Sequence, residues 1–542
     1  MKLLKSSFFI VSALVIASCG STAPILSTPI DNIDTTPLKE TPLSEVELQT
    51  WGHKDLITDT IPGMSVDKAY AEIIKGKKGK KVIVAVLDSG IDIDHEDLDG
   101  VIWTNKKEIP NNGKDDDKNG YVDDIHGWNF LGDSYNENLE STRIVKKGPN
   151  HPKYAEAKAE VDADYKKYLN LKNRFEPIYQ RVKATNAALT KYFKKSNYTI
   201  PELNAVQTND EELQNHIALA KQAFVIFPKK VKSIDEVEEI LKDGIEGFTD
   251  RLNYNLNTSF DGRTVVGDNP NDITDTNYGN GNVKHVKKSE SHGTHVAGII
   301  AAERNNGKGV NGVANNVAIM SVRTVPNGDE YDKDVALAIR YAVDNGAKVI
   351  NTSFGKYFSQ NSQWVRDAII YAGKNNVLIV NAAGNENIDL DKKPVFPNDQ
   401  TTTGAEISDT FLTVGALQNK YGSQIVADYS NYGKTNVDVF APGSDIYSTF
   451  PENEYESIGG TSMAAPGVAG IAALILSQYP NLTASQVKKI IIQSGLTINR
   501  NVVVNQKESA MPFSNASRSG KIVNAYNALI LADKVQRGQV KL

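Results

Sequence analysis

Cysteine is almost absent from this chain: one residue, Cys19, in 542. A single thiol excludes any intramolecular disulfide. A charge excess of either sign is also missing. The 60 Lys and Arg residues nearly balance the 66 Asp and Glu, leaving −6. Nucleic-acid proteins normally show a basic face, so no nucleic-acid partner is expected. Beyond the N-terminal stretch, no apolar run is long enough to span a bilayer. What remains is ordinary for a globular protein, with 40% hydrophobic and 23% charged residues. Length alone would suggest several domains, but large α/β enzymes often form one unit.

The first residues read as a targeting segment. Lys2 and Lys5 give a positive start, and Phe8 to Val15 form an apolar run too short for a lasting span. Ile16, Ala17 and Ser18 then precede Cys19. A lone cysteine directly after a short signal resembles the lipobox of bacterial lipoproteins. The expected organisation starts with a signal peptide over 1–18 and a lipid carried on Cys19. The protein would then be exported and anchored to a bacterial cell membrane, at the outer membrane or cell surface. Residues 19–60, rich in Thr, Pro and Ser, read as a tether.

From Lys81 the pattern changes. Val82 to Leu87 is a continuous apolar, β-branched run, as expected of a parallel strand buried on both faces. Similar runs are Val317 to Val322, Lys348 to Asn351, Val377 to Val380, Phe411 to Val414 and Val437 to Phe440. Helical patterns separate several of them. One is Asp332 to Asp344, which stops at Asn345-Gly346. The alternation predicts an α/β fold, a mostly parallel sheet with helices on both faces. Functional residues in such sheets lie outside the carboxyl ends of the strands. Residues 146–255 break the rhythm. They are Lys/Glu-rich, with Val161, Tyr165, Tyr168 and Phe175 at helical spacing, Pro177 as an expected break or kink, and capping-box pairs Thr199/Glu202 and Ser233/Glu236. This predicts a helical insertion between two parts of one catalytic domain, 61–145 and 256–542.

Three runs carry chemistry. Asp88 ends the first buried strand in VIVAVLDSG. His292 opens SHGTHVAGII, whose small residues Gly293, Ala297 and Gly298 permit close helix packing. Ser462 follows a Gly-Gly-Thr turn and precedes a long apolar helix in GGTSMAAPGVAGIAALIL. A serine hydroxyl is a poor nucleophile near neutral pH. A histidine must take its proton and return it to the leaving group, and a buried aspartate must fix the imidazole tautomer and stabilise its charged form.

DSGID, HGTHVAG and GTSMAAP, in this order, resemble the three signatures of the subtilase family of serine peptidases. The resemblance covers residues 45–145 and 260–535. It implies a three-layer subtilisin-like fold and an endopeptidase that hydrolyses polypeptides through an acyl-enzyme on Ser462. His292 would be general base and acid, and Asp88 its orienting carboxylate. Asn385, in NAAGN, matches the family's oxyanion donor. Asn351 to Gly355 matches its substrate-binding strand, with Ser353, Phe354 and Gly355 offering backbone groups to an extended peptide. The alternative is a catalytically silent, subtilase-like binding lipoprotein. Loss of a triad or oxyanion residue is the usual sign of that state, and none is lost.

Structural calcium is the one cofactor expected, with no catalytic metal. In NNGKDDDKNGYVDD, Asp115, Asp117 and Asn119 followed by Gly120 match the start of a calcium loop. The carbonyl of Tyr121 and the carboxylate of Asp123 or Asp124 would complete it, although the twelfth position is His126 and not Glu. A second candidate rests on the family resemblance alone. Asp97 and Asn305 match calcium-binding positions, in a loop altered here by an extra residue.

Overall fold

The β-branched runs form the centre of the molecule. The structure is a computed structural model that describes residues 25–542 except 227–230, 232, 402–403 and 505–509. The expected signal peptide and Cys19 lie outside the described residues. The strands are β1 (Val82–Asp88), β2 (Gly127–Asn129), β3 (Val317–Arg323), β4 (Val349–Thr352), β5 (Leu378–Ala382), β6 (Phe411–Leu417) and β7 (Val439–Pro442). A hairpin, β8 (Ile446–Phe450) and β9 (Glu454–Ile458), stands apart from the main sheet. Two short strands, β10 (Leu496–Thr497) and β11 (Lys521–Ile522), finish one edge of that sheet. Its order is β10-β11-β7-β6-β5-β4-β1-β3-β2, parallel except for the β10/β11 pair.

Period-two alternation fills both faces. Val82, Val84 and Val86 enter one core, while Ala85 and Leu87 enter the other. The first core is covered by α6 (His292–Ala301), α9 (Thr461–Gln478), α10 (Ala484–Ser494) and α11 (Ala525–Gln536), the second by α7 (Asp332–Asp344) and α8 (Ser362–Lys374). This is the expected three-layer α/β fold. Helix α9 is long and apolar enough to cross a membrane by composition, but 89% of it is buried inside the protein, which makes it a core helix. The order of connection reverses at β1. β3 lies on one side of it, and the chain then passes to β4 on the other. The crevice outside the ends of β1 and β4 is therefore the topological switch point, where α/β sheets place their ligands.

Between β2 and α6 lie α2 (Glu140–Lys146), α3 (Tyr154–Phe193), a short helix Ile200–Ala205, α4 (Glu211–Ile226) and α5 (Ile234–Asp250). Thr199 forms a full capping box with Glu202, and Ser233 accepts from the Glu236 N–H. Val182, Leu189, Tyr198, Ile217, Phe224 and Val237 belong to a core separate from the two that flank the sheet. The expected break at Pro177 does not occur: α3 runs through it for 40 residues. Pro177 and Asn173, whose carbonyl loses its helical partner, are both exposed, so the freed carbonyl is open to water. The turns on the N-terminal side are held by Tyr168 and Phe175 against Phe248 of α5. The outgoing and returning chains are tied together. The Leu139 N–H donates to Asn255 O, and Asn255 Nδ2 donates to the Glu137 and Asn327 carbonyls.

The tether expected over 19–60 needs correction from Ile25 onward. The Ile30 N–H donates to Asn527 Oδ1 at 2.7 Å, and Asn527 Nδ2 donates back to Ile30 O at 2.9 Å. Ile33, Trp51 and Leu56 are buried in the core that contains α9 and α11. The segment is polar in composition, but its few apolar residues are anchors. The α1 helix (Glu45–Thr50), opened by a Ser44/Glu47 capping box, leads into Trp51, whose indole N–H donates to Ser444 O. Trp51→Ala should destabilise the protein by about 3–5 kcal/mol, read from thermal or denaturant unfolding. An unstructured tether would leave the unfolding midpoint unchanged.

Candidate active site

Asp88 ends β1 with its carboxylate 1% exposed. Its Oδ1 accepts from the Ser89 N–H at 2.8 Å and from His292 Nδ1 at 2.7 Å. A carboxylate only accepts, so Nδ1 carries the proton and the neutral ring presents a lone pair at Nε2. Burial works against a charged imidazole here, but the charge and hydrogen bond of Asp88 outweigh it, so the His292 pKa is raised above 6.5. The His292 side chain is still 37% exposed, open to a reacting group. The pair meets because residue 293 is glycine. A Cβ there would lie 2.4 Å from Gly90 O and 3.3 Å from Asp88 Cβ, so only glycine lets the start of α6 drop onto the end of β1.

Ser462 is the second residue of α9. Its hydroxyl donates to Ser353 O at 2.9 Å, and the Ser353 hydroxyl donates back to Ser462 O at 2.8 Å. Asn351 Nδ2 supports Ser353 Oγ at 2.9 Å. The serine hydroxyl thus rests on the segment beyond β4, and hydrogen bonds of this kind often rearrange only when substrate binds. Asn385 sits on the loop after β5. Its Oδ1 accepts both the N–H and the hydroxyl of Thr461, at 2.8 and 2.9 Å. This fixes the amide with Nδ2 as the available donor, beside Gly460. Gly384 makes the loop: its φ is +98°, and a Cβ would meet Asn431 Nδ2 at 2.4 Å. Thr461 is not singled out by the sequence reading, and its one signal is its place next to Ser462.

The β4 ladder stops at Thr352, so Ser353, Phe354 and Gly355 continue past the sheet edge. Phe354 turns its ring into the second core, and Gly355 is exposed.

The acidic loop is reassigned in part. Asp115 and Asp117 converge, and Glu108, missed in the sequence, joins them, with one carboxylate oxygen of each within 4.8 Å of the others. Glu108 comes from outside the loop motif, so loop spacing could not reveal it. Its Oε2 is buried without a hydrogen-bond partner among the described residues. The Asp115 and Asp117 carboxylates also accept from the Asn119 and Gly120 N–H groups and Asn105, and the Asn119, Asp123 and Asp124 side chains are engaged with protein groups. The Asn119 amide spans the Tyr121 N–H and Asp124 Oδ2. Asp123 accepts from the Asn112 and Gly113 N–H groups. Asp124 accepts from Asn105 and Tyr341, and burial raises its pKa. At the second candidate, Asn305 is not the residue that faces Asp97. Asn306 Nδ2 donates to Asp97 Oδ1 at 2.6 Å and the Val310 N–H to Oδ2 at 3.0 Å, while the Asn305 N–H goes to Asn311. Both Asp97 oxygens are held by protein donors.

The chain is similar in sequence to several known proteins. The chain is 44% identical over 193 residues to the thermophilic serine proteinase of Bacillus sp. (strain AK1), a match covering 35% of this chain and 44% of that protein. It is 39% identical over 199 residues to subtilisin DY of Bacillus licheniformis, covering 36% and 67%. With thermitase of Thermoactinomyces vulgaris the identity is 40% over 193 residues, covering 35% and 63%. The matches therefore span from under half to two thirds of these relatives. The subtilase family model matches residues 79–512, and the chain belongs to the subtilase family.

Proposed function

We propose that this subtilase is a serine endopeptidase acting on polypeptides. The observation that carries it is the meeting of Asp88 and His292, 204 positions apart in sequence, at 2.7 Å on the sheet edge that also holds Ser462 and Asn385. In this reading His292 Nε2 takes the Ser462 proton as Oγ attacks the scissile carbonyl, and then gives it to the leaving amine. Asp88 keeps the proton on Nδ1 and stabilises the imidazolium. Asn385 Nδ2 donates to the oxygen that becomes negative in the tetrahedral intermediate. Water then hydrolyses the acyl-enzyme by the same proton path. An extended substrate whose N–H bonds Ser353 O would displace the serine hydroxyl resting there and release it for attack.

A fluorophosphonate should label the wild type and fail to label Ser462→Ala. Only neutral His292 serves as base, and its pKa is raised, so labelling should increase with pH through a midpoint above 6.5. Asp88→Asn should cut the rate by about 10⁴-fold. A wild type that is not labelled would favour the silent binding lipoprotein.

We also propose calcium at Glu108, Asp115 and Asp117. The unpartnered Glu108 oxygen and an all-carboxylate donor set suit a hard cation. Bound there, calcium would neutralise the three charges and brace the loop. Calcium should raise the unfolding temperature, and Asp115→Ala with Asp117→Ala should remove most of the rise. No rise in the wild type would overturn the assignment.

The lipid anchor on Cys19 is likewise a proposal, motivated by the sequence before it. Cys19→Ser should move the protein from the membrane to the soluble fraction. Unchanged fractionation would refute it.

A further inference from the structure

The segment that follows the substrate-binding residues bends at Tyr357 and Gln360. Lys356, Phe358 and Gln360 face the root of the helical insertion. The Lys356 ammonium is 3.2 Å from Glu140 Oε2, 3.0 Å from Asp332 Oδ1 and 2.7 Å from the Glu330 carbonyl. Phe358 packs with Ile144 of α2 and Ala157 of α3. Gln360 Nε2 donates to the other oxygen of Glu140 at 2.6 Å. Glu140, the first residue of α2, therefore holds the segment at two points, and Ile144 covers the position between them. Tyr357 also packs against the Ile144 cluster, while its hydroxyl and Ser359 reach the body of the enzyme. The Tyr357 hydroxyl bonds Glu386 Oε2, the oxygen that also accepts the Asn385 N–H, and accepts from Asn431 Nδ2. The Ser359 hydroxyl donates to Asp332.

Residues 353–355 are thus suspended between two anchors. One is the reciprocal pair of hydrogen bonds between Ser353 and Ser462. The other is Lys356, whose backbone exchanges two 2.9 Å hydrogen bonds with Phe396 and whose side chain is held at the insertion root. Lys356 is 3% exposed and Glu140 also 3%, so this ion pair is not weakened by solvent as a surface pair would be. Losing Glu140 leaves Lys356 with Asp332 as its remaining close carboxylate, which biases the ammonium and the backbone attached to it toward α7.

We propose that Glu140 and Ile144, at the root of the insertion, are positioning residues that hold Lys356 and Phe358 and thereby set the substrate-binding segment 353–355. The insertion is then coupled first to the use of extended peptides, and to the bond-breaking groups on β1, α6 and α9 only through the Ser353–Ser462 contact. This rests on the endopeptidase reading above.

The test compares two anilides with the same terminal residue, one a single residue and one four residues long, so that only the longer reaches the segment. The full-length wild type should cleave the longer one with the higher kcat/KM. Glu140→Gln should reduce that advantage by about tenfold, because a displacement of the order of 1 Å is enough for such losses, and should change the single-residue substrate less than twofold. Ile144→Ala acts through packing and not charge, and should show the same selective loss, so the proposal remains testable if Glu140→Gln does not fold. An unchanged ratio of long to short substrate in folded variants overturns the coupling, even if their unfolding temperature drops. A wild type that cleaves neither anilide overturns the endopeptidase reading instead.

Discussion

The cleft depends on one backbone approach. The start of α6 lies so close to the turn after β1 that a Cβ at position 293 would overlap Gly90 O. That approach brings an imidazole from one helix to a carboxylate on a strand of a buried parallel sheet, with no loop needed to carry either group. Asp88 is rigid because β1 is paired on both sides, to β3 and β4 in register. His292 is rigid because α6 packs into the same core as α9. Ser462, at the start of α9, then needs only to share the sheet edge, and its hydrogen bonds with Ser353 fix it there. Rigid elements hold reactive groups to the tolerance that catalysis requires.

The parts most legible in the sequence were those dictated by burial and by local backbone demands. Strands buried on both faces must be continuous apolar runs, and each run singled out lies in the sheet. Asp332 to Asp344 is a helix with the limits that its Asn-Gly stop implied. Asp88, His292, Ser462 and Asn385 stood out because the runs that hold them resemble the subtilase signatures, and the structure brings those four to one edge. Features set by distant contacts were harder to read. Ile25, Ile30, Ile33 and Trp51 have no periodicity, so nothing local distinguishes their segment from a tether, yet each packs on the core formed by residues hundreds of positions later. Pro177 carries a strong local signal for a break, which the packing of α3 on α5 and solvent access at its exposed face override. Glu108 lies outside the loop whose spacing drew attention, and the residue that faces Asp97 is Asn306, one position beyond Asn305.

The root of the insertion is chemically unlike its far end. The far end is an ordinary small apolar core. At the root, Glu137, Glu140, Asp329, Glu330 and Asp332 gather around two cations, Arg143 and Lys356. Burial pushes Glu137 and Glu330 up to about 7, so carboxylates that would otherwise repel one another retain protons near neutrality. A buried ionic arrangement of this kind contributes less stability than apolar packing would, but it is intolerant of misregistry, because a shifted partner leaves a charge without compensation. It suits a joint whose geometry matters more than its strength.

The narrowness of that joint bears on how the chain reaches its fold. Asn138 Nδ2 donates to Tyr254 O across 116 positions of sequence, so the two ends of the insertion stand side by side. Its apolar core is drawn from its own helices, and a body of that kind can form before the sheet does. Once it has, the 204 positions between Asp88 and His292 act as a loop of about 90, which reduces the closure entropy by about 0.7 kcal/mol. Order of assembly thus offsets much of the topological burden of a long graft. A late-folding insertion would leave β1 searching for α6 across a disordered chain of more than twice that length.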